Sequence, residues 1–220
     1  MDVQSIYDLM TKTFGVHESN QRFDLHFYRA LNNAQQEIYQ KRKWGFLLKA
    51  GTLTTSASTR TADLPDTFGK FDNGYGKIKI TSPSGSAGGN LSFYDAGRYL
   101  QDKFDDDEEG TPTIAYIIDD TAYLSPIPDA IYIISFFYYA EPAQITGSDG
   151  TIIVPDRYGE LLETIISRYL NRLGYSSIAD FQIDDKTVSS LFYQAAQDDL
   201  ARYGTKGMNL PPSAYTRNVT

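Results

Sequence analysis

The chain has no cysteine and only two histidines, His17 and His26. The first absence excludes disulfide scaffolds, thiolate metal sites, iron–sulfur clusters and thiol catalysis. The second leaves little imidazole chemistry. His17 precedes a helix and His26 lies on it, and no HExxH is present. A GxSxG elbow is also absent, so a hydrolase triad has no support. Basic charge is short. Twenty Lys and Arg stand against 28 Asp and Glu, for a net charge of −8, which argues against a general DNA binder. Long apolar runs are missing too. The longest, Ile131–Ala140, contains Ser135 and falls well below the roughly 20 residues of a bilayer-spanning helix. Met1–Phe14 lacks the basic flank and apolar core of a secretory signal. The expectation is a soluble, intracellular protein.

Motifs for bound groups are equally scarce. Gly76–Lys77 is followed by Ile78, and Gly85, Gly88 and Gly89 miss the dinucleotide spacing. The acidic run Asp105–Glu109 lacks the alternating acids and central glycine of a calcium loop. It reads as a solvated loop. The pairs Asp119–Asp120, Asp184–Asp185 and Asp198–Asp199 are adjacent in sequence, so their side chains diverge and form no acid–base dyad. Asn90 and Asn218 fit the glycosylation pattern without a secretory signal to support it. The expectation is no catalytic residue, no cofactor and no metal.

What is present suits a folded chain with large contact surfaces. Of the 220 residues, 41% are hydrophobic and 22% charged, enough to bury a core. Tyrosine is abundant, with 17 copies, as in proteins with large amphipathic contact surfaces. Val3, Ile6, Tyr7, Met10 and Phe14 form one helical stripe, with Asp2 as N-cap and Gly15 as stop. Asn20 caps a second helix whose buried face is Phe23, Phe27, Leu31, Ala34 and Ile38, ending near Trp44–Gly45. Lys41, Arg42 and Lys43 form the basic cluster at that end. They read as helix C-terminal charge, with a phosphate or partner contact as the alternative.

The middle of the chain changes character. Phe46–Thr54, Thr59–Leu64, Gly76–Ile80, Leu91–Tyr94, Thr113–Ile118, Thr121–Leu124 and Ile131–Tyr139 read as strands of an antiparallel module. Asp119–Asp120 turns a hairpin, Ser82–Asn90 is a loop, and Asp95–Phe104 reads as a short rim helix. The segment Ile131–Tyr139 is apolar on both faces, so both should be covered, one of them by a subunit contact. Asp156 is the expected N-cap of a third helix carrying Leu161, Leu162, Ile165, Tyr169 and Leu173, stopped by Gly174. A last helix runs from about Asp185 to Tyr203 through Val188, Leu191, Phe192, Ala195, Ala196 and Leu200.

The resulting expectation is an α+β chain: a helical bundle built from both chain ends, an inserted antiparallel β module, and an extended C-terminal tail. In residue ranges, 1–45 and 155–203 supply the bundle, 46–154 the module and 204–220 the tail. Phe27, Leu31, Ile38, Ile165, Tyr169 and Phe192 should share the bundle core. In the tail, Pro211 and Pro212 preclude helix. Met208, Leu210 and Tyr215 are apolar anchors and Arg217 adds a charge, so the tail is expected to dock on a partner chain.

The order of these segments resembles the head–tail adaptor proteins of tailed bacteriophages. The resemblance rests on FDLHFYRALNNAQQEIYQKRKWGFL, TADLPDTF, GTPTIAYIIDDTAYLSPIPDA, IYIISFFYYAEP, TIIVPDRYGELLETIISRYLNRLG and SSLFYQAAQDDLARYG. Trp44, the turn Leu124–Pro126–Pro128, the pair Tyr138 and Pro142, and the stretch Val154–Tyr158 are typical of that group. The resemblance implies a non-enzymatic virion protein of the neck between capsid and tail, made in the host cytoplasm. Such adaptors form rings, commonly of twelve copies, beneath the portal. They join it to the tail or to a second neck protein, and DNA passes through without specific binding. Their C-terminal segments often grip the portal, a role that here falls to Met208, Leu210, Pro211, Pro212, Tyr215 and Arg217. Acids lining the channel would repel DNA, with Asp184, Asp185, Asp198 and Asp199 as the candidates. The alternatives are another virion ring, stopper or tail-terminator protein and, from a different class, a small hydrolase or carbohydrate-binding module.

Overall fold

The structure, a computed structural model, describes residues 1–17, 20–71, 79–81, 91–95, 97, 108–175 and 185–203. Several sequence expectations lie outside them: the loop at 82–90, most of the rim helix at 95–104, residues 105–107 of the acidic run, Asp184, and the tail at 204–220. The fold is α+β, as expected. The chain divides into two compact units, Met1–Phe46 with Gln144–Thr220, and Leu47–Ala143.

Four α-helices lie among the described residues of the first unit. Helix α1 is Val3–Phe14 and α2 is Gln21–Lys41. Asp2 caps α1 by accepting the Ser5 N–H, and Asn20 caps α2 by accepting the Phe23 N–H. Both caps satisfy amides that the first helical turn leaves open. Helix α3, Gly159–Arg172, departs from expectation at its start. Asp156 does not cap it. Asp156–Tyr158 forms a 3₁₀ turn, and the Asp156 carboxylate meets the Met1 ammonium instead. Helix α4 is Asp185–Tyr203, as the sequence predicts. Gly15 and Gly174 hold φ of 62° and 91° at the ends of α1 and α3. Each sits in a paired cap: Val16 and Gly15 donate back to Thr11 and Lys12, and Tyr175 and Gly174 donate back to Leu170 and Asn171.

Helices α2 and α3 pack along their apolar stripes. Phe23, Phe27, Leu31 and Ala34 meet the interior beside Leu162, Ile165, Ile166 and Leu170, all fully buried. Tyr169 and Phe192, expected in this core, are half-buried. The hydroxyl explains Tyr169, because it reaches out to donate to Glu37 at 3.2 Å. Arg168 also bonds Glu37, and donates to Asp185 at 3.2 Å, so one guanidinium ties α2, α3 and α4. Asn32 and Gln35, one turn apart on α2, hold the incoming chain. Asn32 both donates to the Ile145 carbonyl and accepts its N–H, each at 2.8 Å. Gln35 accepts the Ile153 N–H at 3.0 Å.

The second unit contains ten strands among the described residues: β1 Leu48–Thr54, β2 Thr61–Asp63, β3 Phe68–Phe71, β4 Lys79–Thr81, β5 Ser92–Asp95, β6 Glu109–Gly110, β7 Ile114–Ile118, β8 Thr121–Ser125, β9 Ile127–Pro128 and β10 Ile133–Ala140. One sheet is ordered β1-β10-β3, with β4 also on β10. A second is β2-β8-β7-β5, and β6 and β9 form a third. Most pairings are antiparallel, including the hairpin β7–β8, where Asp119 takes φ of 52° in the turn. Two pairings, β5 with β7 and β6 with β9, are parallel, which the expected antiparallel module did not contain. The acidic run is likewise not all loop, since Glu109 lies in β6. The two four-stranded sheets meet through aromatic rings: Phe136 of β10 lies 5.7 Å from Phe93 of β5, and 6.3 Å from Phe68 of β3 in its own sheet. Leu53, Ile134, Ala115, Ala122 and Leu124 fill the remaining space.

Within one chain a single face of the strand around 131–139 is covered, and the other is the face expected to meet a subunit. Tyr132, Ile134, Phe136 and Tyr138 are buried, whereas Ile131, Ile133 and Phe137 are exposed.

Candidate functional site

At the end of α2, Arg42 of the basic cluster and the following Trp44 turn inward, whereas Lys41 is exposed. Trp44 is completely buried and its indole N–H donates to the Ile38 carbonyl at 2.6 Å. That bond closes the end of α2 and aims the ring at Phe46, Tyr158 and Phe192, with centroids 5.5, 5.9 and 6.5 Å away. The Arg42 guanidinium lies 5.0 Å above the Trp44 ring and donates to the Ala196 carbonyl at 3.0 Å. Lys41 stands 5.6 Å from the Phe192 ring. Arg42 is therefore part of the packing, not a phosphate-facing cation. Cation–ring contacts of this kind gain strength where water is excluded.

Arg42 faces Asp199 of α4 at 3.5 Å. Asp199 has no exposed surface, and both of its oxygens accept the Gly45 N–H. Burial, which raises its pKa, outweighs the Gly45 N–H and the Arg42 guanidinium, which lower it. This corrects the expectation for Asp199: a carboxylate enclosed by its own unit cannot line a channel. Gly45 is required beside it. A β-carbon there would strike the Tyr203 ring and stand 2.5 Å from Tyr203 Cβ.

The other expected acids lie elsewhere. Asp198 is 39% exposed and bonded by Arg202 at 2.9 Å and by the Tyr158 hydroxyl at 3.0 Å. The Arg202 bond leads the effects that hold its carboxyl below the usual range. Asp185, 79% exposed, is shared by Arg168 and Arg172. The structure does not bring Asp185 and Asp198 together with Asp199 into one acidic site. Asp184 and the six tail residues lie outside the described residues.

Surface clefts among the described residues of this unit include two. One, of about 250 Å³, has Leu161, Leu191 and Ala195 at its floor and Arg157, Glu160, Gln194, Asp198 and Arg202 around it. The other, of about 540 Å³, is lined by Gln4, Tyr7, Asp8, Asp24, Tyr28 and Ser148. Its carboxylates are already engaged: Tyr7 donates to Asp24 at 2.5 Å and Gln4 to Asp8 at 2.7 Å. Burial, then Asp24 and Asp149, push the Tyr28 hydroxyl up. Neither cleft sets a nucleophile against a base. His26 is held by the Tyr175 hydroxyl at 3.0 Å within an aromatic cluster. The arrangement equips the unit for rigid packing.

Among the described residues no group of three or more His, Asp or Glu could hold a metal ion, and no helix is long and apolar enough to cross a membrane. Sequence reasoning missed Asp199 as a packing residue and Asn32 as a clamp. An asparagine at a half-apolar helix position is the one local signal for the second. A comparison with curated proteins finds no match. The family model described as SU10 adaptor protein matches residues 7–217. That match takes in the helices of the first unit and the strands of the second, so the chain belongs to the SU10 adaptor protein family, a family of phage head–tail adaptors.

Proposed function

We propose that the chain is a virion neck protein that assembles as a dodecameric ring beneath the portal, joins it to the tail or to a second neck protein, and surrounds the path of DNA. The observation that carries this reading is the family match over 7–217. Three features of the chain support it. The described residues are built for packing, with Trp44, Arg42 and Asp199 locking the end of α2 to α4. The net charge of −8 suits a conduit that must not retain DNA. The tail carries Met208, Leu210, Pro211, Pro212, Tyr215 and Arg217, which we assign to docking on the portal. Of the acids proposed for the channel wall, Asp185 and Asp198 are at the surface, Asp199 is excluded by burial, and Asp184 stays a sequence-based assignment. No catalytic or cofactor role is assigned.

Native mass spectrometry of the full chain, alone and with the portal protein of its own phage, tests the reading. The expected result is a discrete oligomer that adds to the portal. A chain that remains monomeric and unbound in both conditions overturns it.

A further inference from the structure

The outer face of the β1–β10 pair carries a row of exposed, uncharged residues on an acidic protein. On β10, Ile133 and Phe137 are 42% and 44% exposed, and Ile131, just before the strand, is 54% exposed. The register sets Phe137 beside Ala50, Ser135 beside Thr52 and Ile133 beside Thr54. Directly paired residues share a face, so these six positions form one continuous patch. All six are exposed. None of the six is charged, in a chain with 28 acidic residues, and the register sets a neighbouring charge, Lys79 of β4, on the other side of Ser135. β1 is also the outer strand of its sheet, so the patch extends to an edge.

Charge decides what fits there. Two copies of a chain with net charge −8 repel wherever their acidic surfaces meet. A patch of Ala, Thr, Ser, Ile and Phe is a place where they meet without juxtaposed like charges, and it gains from burying the aromatic and aliphatic groups. A basic partner would instead be met by the acidic surface, where complementarity is available. Left uncovered, an apolar face beside an open strand edge invites aggregation.

We infer that the Ala50–Thr52–Thr54 and Ile131–Ile133–Phe137 face is the seat of a neighbouring copy of this chain. The inference rests on the ring reading and adds the surface through which the ring closes. In a closed ring of more than two copies the contact is heterologous, so this face meets a different patch of the next copy.

The test is sedimentation velocity on the full chain over a concentration series, with Phe137→Glu and, on the other strand, Thr52→Glu. Thr52→Ser serves as the control. The wild type and Thr52→Ser should assemble alike. Each glutamate should weaken assembly by about tenfold or more, as a charge forced into a contact does, with circular dichroism unchanged. If Phe137→Glu loses its fold, Thr52→Glu decides. Folded glutamate variants that assemble like the wild type overturn this face and leave the ring reading standing. A wild type that is monomeric at every concentration overturns this face as a self-association surface, and the ring reading is then decided by the mass spectrometry with the portal protein.

Discussion

Both carboxylate oxygens of Asp199 accept the backbone N–H of Gly45, at 3.1 and 3.0 Å, across 154 residues of chain. The bond fixes the last helix to the end of the second one, with Arg42 as counter-charge. Asp199→Ala removes the acceptor from a buried amide and the counter-charge from Arg42. The expected loss is about 3–5 kcal/mol, the range for breaking a buried charge pair from one side. Denaturant unfolding monitored by circular dichroism measures it.

The same carboxylate gives stability a pH dependence. Burial raises its folded-state pKa above the unfolded value. The folded chain therefore keeps this proton where the unfolded chain has lost it. This contribution favours folding fully below the unfolded value of about 3.9 and disappears as pH rises through the raised folded value. Asn cannot titrate, so the stability of Asp199→Asn relative to wild type should rise with pH over that window. A gap that stays constant between about pH 4 and pH 8 contradicts the assignment.

Gly45→Ala should cost about 1–3 kcal/mol, as overpacking does, because its methyl group lands on the Tyr203 ring. Tyr203→Gly in the same chain should recover part of the loss. Double-mutant analysis of melting curves reads the coupling, and additive effects would place the strain elsewhere.

Asn32 imitates a strand neighbour with one side chain, giving and taking a bond at Ile145. Asn32→Ala loses both bonds and should cost about 1–3 kcal/mol. Its distinctive readout is hydrogen exchange at the Ile145 amide, which should quicken more than amides in the middle of α2.

Phe27 is wholly buried and sits edge-on to Tyr7 with ring centroids 5.1 Å apart. Phe27→Ala should lower stability by about 3–5 kcal/mol, the usual cost of an emptied aromatic site. A variant melting like the wild type would remove Phe27 from the core.

Deleting residues 205–220 tests the docking assignment of the tail. Fully extended, such a segment reaches at most roughly 53–58 Å, enough to cross to another chain. The truncated protein should keep its helical circular dichroism and melting temperature and lose portal binding. Unchanged affinity for the portal would show that docking lies elsewhere.

The amino-acid sequence by itself determined what forms within a few residues. The stripe Val3–Ile6–Met10–Phe14, the caps Asp2 and Asn20, the stops Gly15 and Gly174, the helix Asp185–Tyr203 and the hairpin at Asp119–Asp120 were all legible. Their hydrogen bonds and side-chain contacts close over three or four positions, so periodicity and capping residues record them. Tertiary structure alone decided the rest. Phe68–Phe71 carries a glycine and no clear alternation, and it is a strand because the free side of β10 offers Tyr138 and Tyr139 as partners. β5 lies parallel to β7 because the fold, not a local turn, brings them together. The sequence showed that β10 is apolar on both faces, and only packing decided that Phe136 is covered and Phe137 is bare. Asp199 looked like a surface acid next to Asp198. A one-residue step on a helix turns the side chain by about 100°, which points one carboxylate into the protein and leaves the other among arginines.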